Sequence, residues 1–80
     1  MLVALDFEFN RPSDPDMGLI SCALEVEGQD PESYWLRDEE GRGACIQRLQ
    51  GLASEEFTLV TFTGHLAEIP CLIALGLNPL

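Results

Sequence analysis

Residues 2–10 read LVALDFEFN, and the fold turns on reading this run as a strand. Side chains alternate across a strand, so Val3, Leu5, Phe7 and Phe9 fall on one face and Leu2, Ala4, Asp6, Glu8 and Asn10 on the other. The first face is wholly apolar. The second begins apolar and turns acidic, which sets two carboxylates side by side at the carboxyl end of the strand, where α/β sheets commonly carry their sites. Like charges so placed repel unless something positive lies between them. A bare D-x-E pattern has a plain explanation, an edge strand with its acidic end in water. The aromatic and branched residues around the acids argue instead for burial on both faces. A hard divalent cation, Mg²⁺ or Mn²⁺, would resolve that conflict by taking the carboxylate oxygens.

A chain of 80 residues makes one small domain, which buries only about 60 to 65% of its unfolded surface. With 46% hydrophobic and 22% charged residues, the composition is that of a globular chain rather than a disordered one. No apolar stretch approaches a membrane span and no basic start marks a signal peptide, so the sequence reads as soluble and cytoplasmic, without a membrane partner. Cys22, Cys45 and Cys71 are far apart, lack zinc-site spacing and sit among apolar residues, as buried thiols of a reducing compartment do. Against 14 acidic residues stand 4 basic ones, a formal charge of -10, which argues against a nucleic-acid surface.

Along the chain, RPSDPDMG (Arg11 to Gly18) reads as a turn. A second strand is expected over Leu19 to Glu27, with Ile20, Cys22, Leu24 and Val26 buried, and a third over Ser33 to Arg37. Short loops between these three imply an antiparallel meander. From Asp38 to Ala53, Cys45, Ile46, Leu49, Leu52 and Ala53 recur at helical spacing, with Asp38 as cap, while Gly41, Gly43 and Gly51 weaken the pattern. TLVTF (Thr58 to Phe62) predicts a fourth strand, parallel to the first because a helix crosses over before it. In the last segment Ile69, Leu72 and Ile73 form one helical face, Pro70 suits a first turn, and Gly76 with Pro79 marks the stop. Glu68 then opens a helix just past the carboxyl end of the fourth strand, able to approach Asp6 and Glu8 if strands one and four are neighbours.

The two segments LVALDFEFN and TFTGHLAEIPCLIALGLNP resemble the first and second motifs of the DEDD 3′-to-5′ exonucleases of the ribonuclease H-like fold, which include proofreading domains of DNA polymerases. In that family a hydrophobic strand carries D-x-E, and an acid begins a later helix with Leu four residues on, as Glu68 and Leu72 do here. The family's usual second-motif acid is Asp, and an Asn commonly stands where this chain has Gly64. The resemblance implies an α/β fold, an incomplete ribonuclease H-like domain of order β-β-β-α-β-α, with a mixed sheet in spatial order 3-2-1-4 and strand one central. It further implies a two-metal site for Mg²⁺ or Mn²⁺, with Asp6 bridging both ions, Glu8 on the ion that positions water and Glu68 on the second. The implied substrate is the 3′ end of single-stranded DNA, with a polymerase domain or subunit as a further partner. The family's third motif has no counterpart in these 80 residues, so the chain is expected to be truncated before it and, alone, to be inactive.

Blander readings apply to other residues. His65 is expected to be a solvated loop histidine rather than a general base. Tyr34 and Trp35 could stack on bases, but without a Lys or Arg stripe they are expected to cover the sheet. The runs DPES and RDEEGR read as solvated surface. Two dications would neutralise only part of the charge, so affinity for DNA should be weak. An alternative of another class is an inactive exonuclease-like module that binds a partner through an exposed sheet edge. A third is an acidic, metal-binding regulatory module without catalysis.

Overall fold

The computed structural model describes residues 1–55, 58–60 and 65–77, with the backbone alone at 60 and 65–69. It is an α/β domain whose elements follow the order β1 (Leu2–Phe9), β2 (Leu19–Val26), β3 (Glu32–Trp35), α1 (Glu39–Ala53), β4 (Thr58–Val60) and α2 (His65–Ala74). The four strands form one sheet in the order β3-β2-β1-β4. β1 runs antiparallel to β2 and parallel to β4, and β2 runs antiparallel to β3. The expected sheet order and central first strand are therefore present. The structure places β3 one residue earlier than expected at its start and two residues earlier at its end. β4 is described for Thr58–Val60, and residues 61–62 of the expected strand lie outside the described residues.

Both helices pack on one face of this sheet. Val3, Leu5 and Phe7 of β1 and Cys22, Leu24 and Val26 of β2 meet Cys45 and Leu52 of α1 and Cys71 and Leu75 of α2 in one buried cluster. Each large side chain in such a cluster contributes about 1.5 to 3 kcal/mol by leaving water. The alternation in β2 holds from Cys22 to Val26 and breaks before it. Phe9 pairs with Leu19 after Glu8 has paired with Ser21, so Ile20 is an extra residue in β2. This bulge turns Leu19 into the core and leaves Ile20 half-buried, reversing the expectation for Ile20.

α1 starts where its sequence says it should. Asp38 is extended and its carboxylate accepts the Gly41 N–H at 2.6 Å, with Glu39 and Glu40 in the first turn, where acids complement the helix dipole. Gly41 reads as a helix weakener, yet a Cβ there would lie 2.0 Å from the Trp35 carbonyl oxygen. Its absence of a side chain lets α1 dock against the end of β3. The inward face of α1 is Cys45 and Leu52, with Ile46 and Leu49 half-buried and Ala53 exposed. Arg48 fixes the helix to the sheet, its Nε and Nη2 donating to both oxygens of Glu32 at 3.0 to 3.2 Å and Nη2 donating to Gln29 Oε1 at 3.0 Å.

α2 corrects two expectations. Pro70 is the sixth residue of the helix rather than part of its first turn, so the i−4 bond to the carbonyl of residue 66 is missing there. The buried face is Cys71 and Leu75, four residues apart, whereas Ile73 is 59% exposed. The helix ends in a Schellman arrangement: Leu77 N–H donates to Leu72 O at 3.0 Å, Gly76 N–H donates to Ile73 O at 2.9 Å, and Gly76 has φ 89°. Arg42 ties the two helices by donating to Leu36 O and Ala74 O at 3.4 and 3.5 Å.

Candidate functional site

The uncovered face of the sheet carries the acids. Asp6 and Glu8 are both exposed on β1, two residues apart, or about 6.6 Å along the strand. The expected burial of β1 on both faces is thereby corrected. Among the described residues one face is core and the other is open, because both helices lie on the same side. The edge-strand explanation does not hold either, since β1 has a neighbour on each side. Asp6 and Glu8 are central, solvent-facing carboxylates.

Register places their neighbours. Glu8 lies opposite Ser21, which lies opposite Trp35; Asp6 lies opposite Ala23, which lies opposite Ser33; Ala4 lies opposite Glu25. Glu25 is thus a diagonal neighbour of Asp6, at roughly 7 to 8 Å between such positions. The alternation of β2 directs Glu25 away from Leu24 and Val26, and the register with β1 brings it to the acidic face. A shallow groove of about 110 Å³ opens here, its lining including Ala4, Asp6, Ala23, Glu25 and Pro31. Trp35, expected to cover the sheet, is 53% exposed instead. Tyr34 points the other way and packs on the core, donating to Glu32 Oε1. Burial and that bond push the Tyr34 hydroxyl up to about 12, so it remains a proton donor at neutral pH.

Glu68, expected to open its helix, is instead the fourth residue of α2, which starts at His65 and follows β4, the parallel neighbour of β1. The side chains of Glu68 and His65 lie outside the described residues. Among the described residues no three His, Cys, Asp or Glu side chains converge as a metal-holding group. Asp6 and Glu8 form no salt bridge among the described residues, and as hard oxygen donors open to solvent they fit Mg²⁺ or Mn²⁺ by chemistry.

The three cysteines are buried, one each from β2, α1 and α2. The hydrogen bond that Cys22 shares with Cys45, together with burial, pushes the Cys22 thiol up. It is a core group rather than a nucleophile. No helix among the described residues is long and apolar enough to cross a membrane. Comparison with protein-family models, with curated proteins and with solved structures finds no match to this chain.

Proposed function

We propose that these residues belong to a metal-dependent 3′-to-5′ exonuclease domain of the ribonuclease H-like fold, polymerase-associated and acting on the ends of single-stranded DNA. The observation that carries the reading is the placement of Asp6 and Glu8. They share the open face of a central strand, beside a parallel strand that leads into the helix bearing Glu68. In this reading Asp6, Glu8 and Glu68 hold Mg²⁺ or Mn²⁺, which when bound lowers the pKa of coordinated water and neutralises charge on a phosphodiester. The chain's own part is to present carboxylates on a rigid strand, with the Ser21 and Ala23 positions beside them too small to obstruct a strand end.

Electrostatics set the condition for binding. A chain of formal charge -10 repels phosphate unless dications intervene. The 80 residues should therefore bind a DNA strand only through metal. The test is fluorescence anisotropy of a short single strand labelled at its 5′ end. Anisotropy should rise with protein in Mn²⁺, and should not rise in EDTA or with Asp6→Asn. Binding that ignores both changes would refute the reading.

A further inference from the structure

The three thiols form a cluster that the nuclease reading leaves unused. Cys22, Cys45 and Cys71 are each 0% exposed and share one core. The fold brings them together from three elements, β2, α1 and α2. Cys22 lies between Phe7 of β1 and Tyr34 of β3. α1 packs against β3 and α2 against β1, so Cys22 sits under the seam between the two helices. Cys45 stands midway between two anchored arginines of α1, Arg42 donating to Ala74 O of α2 and Arg48 to Glu32 of β3. Residues three apart are neighbours on a helix surface, so these anchors flank Cys45 and turn it inward over the seam. Cys71 stands three residues before Ala74, on the other side of it.

Cys22 and Cys45 share a hydrogen bond, so their sulfurs are already neighbours across the contact between β2 and α1. The closed core admits no oxidant. A domain this small gains little surplus from its core and opens locally, and lifting α1 exposes both thiols at once. We propose that Cys22 and Cys45 are a reversible redox pair, joined by a small-molecule disulfide such as glutathione disulfide into a bond that staples α1 to β2. The pair is independent of the nuclease reading.

The exchange balances in two steps. In the opened chain one cysteine, as thiolate, attacks a sulfur of the small disulfide, breaking its S–S bond and releasing one small thiolate. The second cysteine, as thiolate, attacks the protein sulfur of this mixed disulfide, which forms the Cys22–Cys45 bond and releases the other small thiolate. The two cysteine protons end on the two released thiols. The chain has lost two electrons and the small disulfide has gained them. Reclosure then holds α1 on the sheet covalently, and small thiols reverse the step. A small domain with a modest core gains most from such a staple, so redox conditions set the stability of the fold.

The experiment incubates the 80-residue chain with glutathione disulfide and a trace of glutathione, alkylates the remaining thiols and cleaves after arginine. Cys45 then lies in the peptide GACIQR (Gly43 to Arg48), Cys22 in the peptide ending at Arg37, and Cys71 in the peptide that follows Arg48. The native chain should yield GACIQR joined to the Cys22 peptide, with Cys71 alkylated, whereas the chain unfolded in urea should yield the alternative pairings too. The joined protein should melt about 10 °C higher and return to its reduced Tm in dithiothreitol. Cys71→Ser should keep both the link and the rise, and Cys45→Ser should lose both, with circular dichroism establishing that each variant is folded. The mapping of the wild-type chain decides the pairing without the variants. Cys71 in the link, mixed disulfides with glutathione alone, the same distribution as in the unfolded chain, no oxidation, or a Tm that does not rise would each overturn the proposal.

Discussion

Replacing Gly41 by alanine tests how α1 is seated against β3. Helix propensity alone favours the change by about 1 kcal/mol. The structure reverses that sign. The new Cβ would lie 2.0 Å from Trp35 O, 3.0 Å from Trp35 C and 3.1 Å from Asp38 Oδ1, where a carbon–oxygen contact needs roughly 3.3 Å. The strand end has little freedom to yield, since Leu36 N–H donates to Ile20 O at 2.8 Å. The first turn of α1 must move instead, which weakens the Asp38 cap, worth about 1 kcal/mol, and adds overpacking strain of about 1 to 3 kcal/mol. The net expectation is a loss of roughly 1 to 3 kcal/mol. In a domain of this size each kcal/mol lowers Tm by about 4 to 8 °C. Gly43→Ala and Gly51→Ala meet no atom within 4 Å and should stabilise by about 0.5 to 1 kcal/mol. Thermal unfolding followed by circular dichroism, with urea midpoints, measures all three. A Gly41→Ala protein as stable as Gly43→Ala would refute the close approach of α1 to Trp35.

Other expectations follow from the polar contacts. The hydrogen bonds from Arg48 and Tyr34 hold the Glu32 carboxyl below its ordinary value of 4.5. That stability is present above about pH 4.5 and is lost as pH falls through the lower folded value, so Arg48→Ala should flatten the acid limb of a stability–pH curve. An unchanged limb would show that the pair contributes nothing. Without metal, Asp6→Asn should raise the urea midpoint modestly by removing a like charge beside Glu8 and Glu25. A lowered midpoint would mean that Asp6 has a favourable partner. Cys22 and Cys45, both fully buried, should react with an aromatic disulfide reagent at the rate of unfolding, whereas rapid reaction in the native protein would contradict their burial.

The sheet was legible because its signals are local. Alternation in LVALDFEF and ALEV and the turn residues between strands imply the antiparallel meander, and the helix before TLV implies a parallel fourth strand, whereas its place beside the first strand comes from the family resemblance. The errors arose where tertiary packing decides. Nothing in the first strand reveals that both helices take the same side, so Asp6 and Glu8 were expected to be buried and are exposed. Ile20 and Leu19 exchange roles through a bulge that composition does not mark. Gly41 looks unfavourable by propensity and is required by contact. Trp35, at a strand end, follows the pleat outward, where the lack of a Lys or Arg stripe suggested that it covers the sheet. For the candidate site, Asp6 and Glu8 were readable as neighbours from their spacing alone. Glu25 needed the register of β2 against β1, which a single strand's sequence does not contain.

The metal reading stands or falls on a Mn²⁺ titration of thermal stability in the wild-type chain and in Asp6→Asn. A ligand that binds only the folded state at 100 times its Kd adds about 2.7 kcal/mol, a rise in Tm of roughly 10 to 20 °C for this size. Wild type should show that rise and reverse it in EDTA, and Asp6→Asn should remain nearly flat. Equal shifts in the two proteins, or none in either, would remove Asp6 from any metal site and the nuclease reading with it.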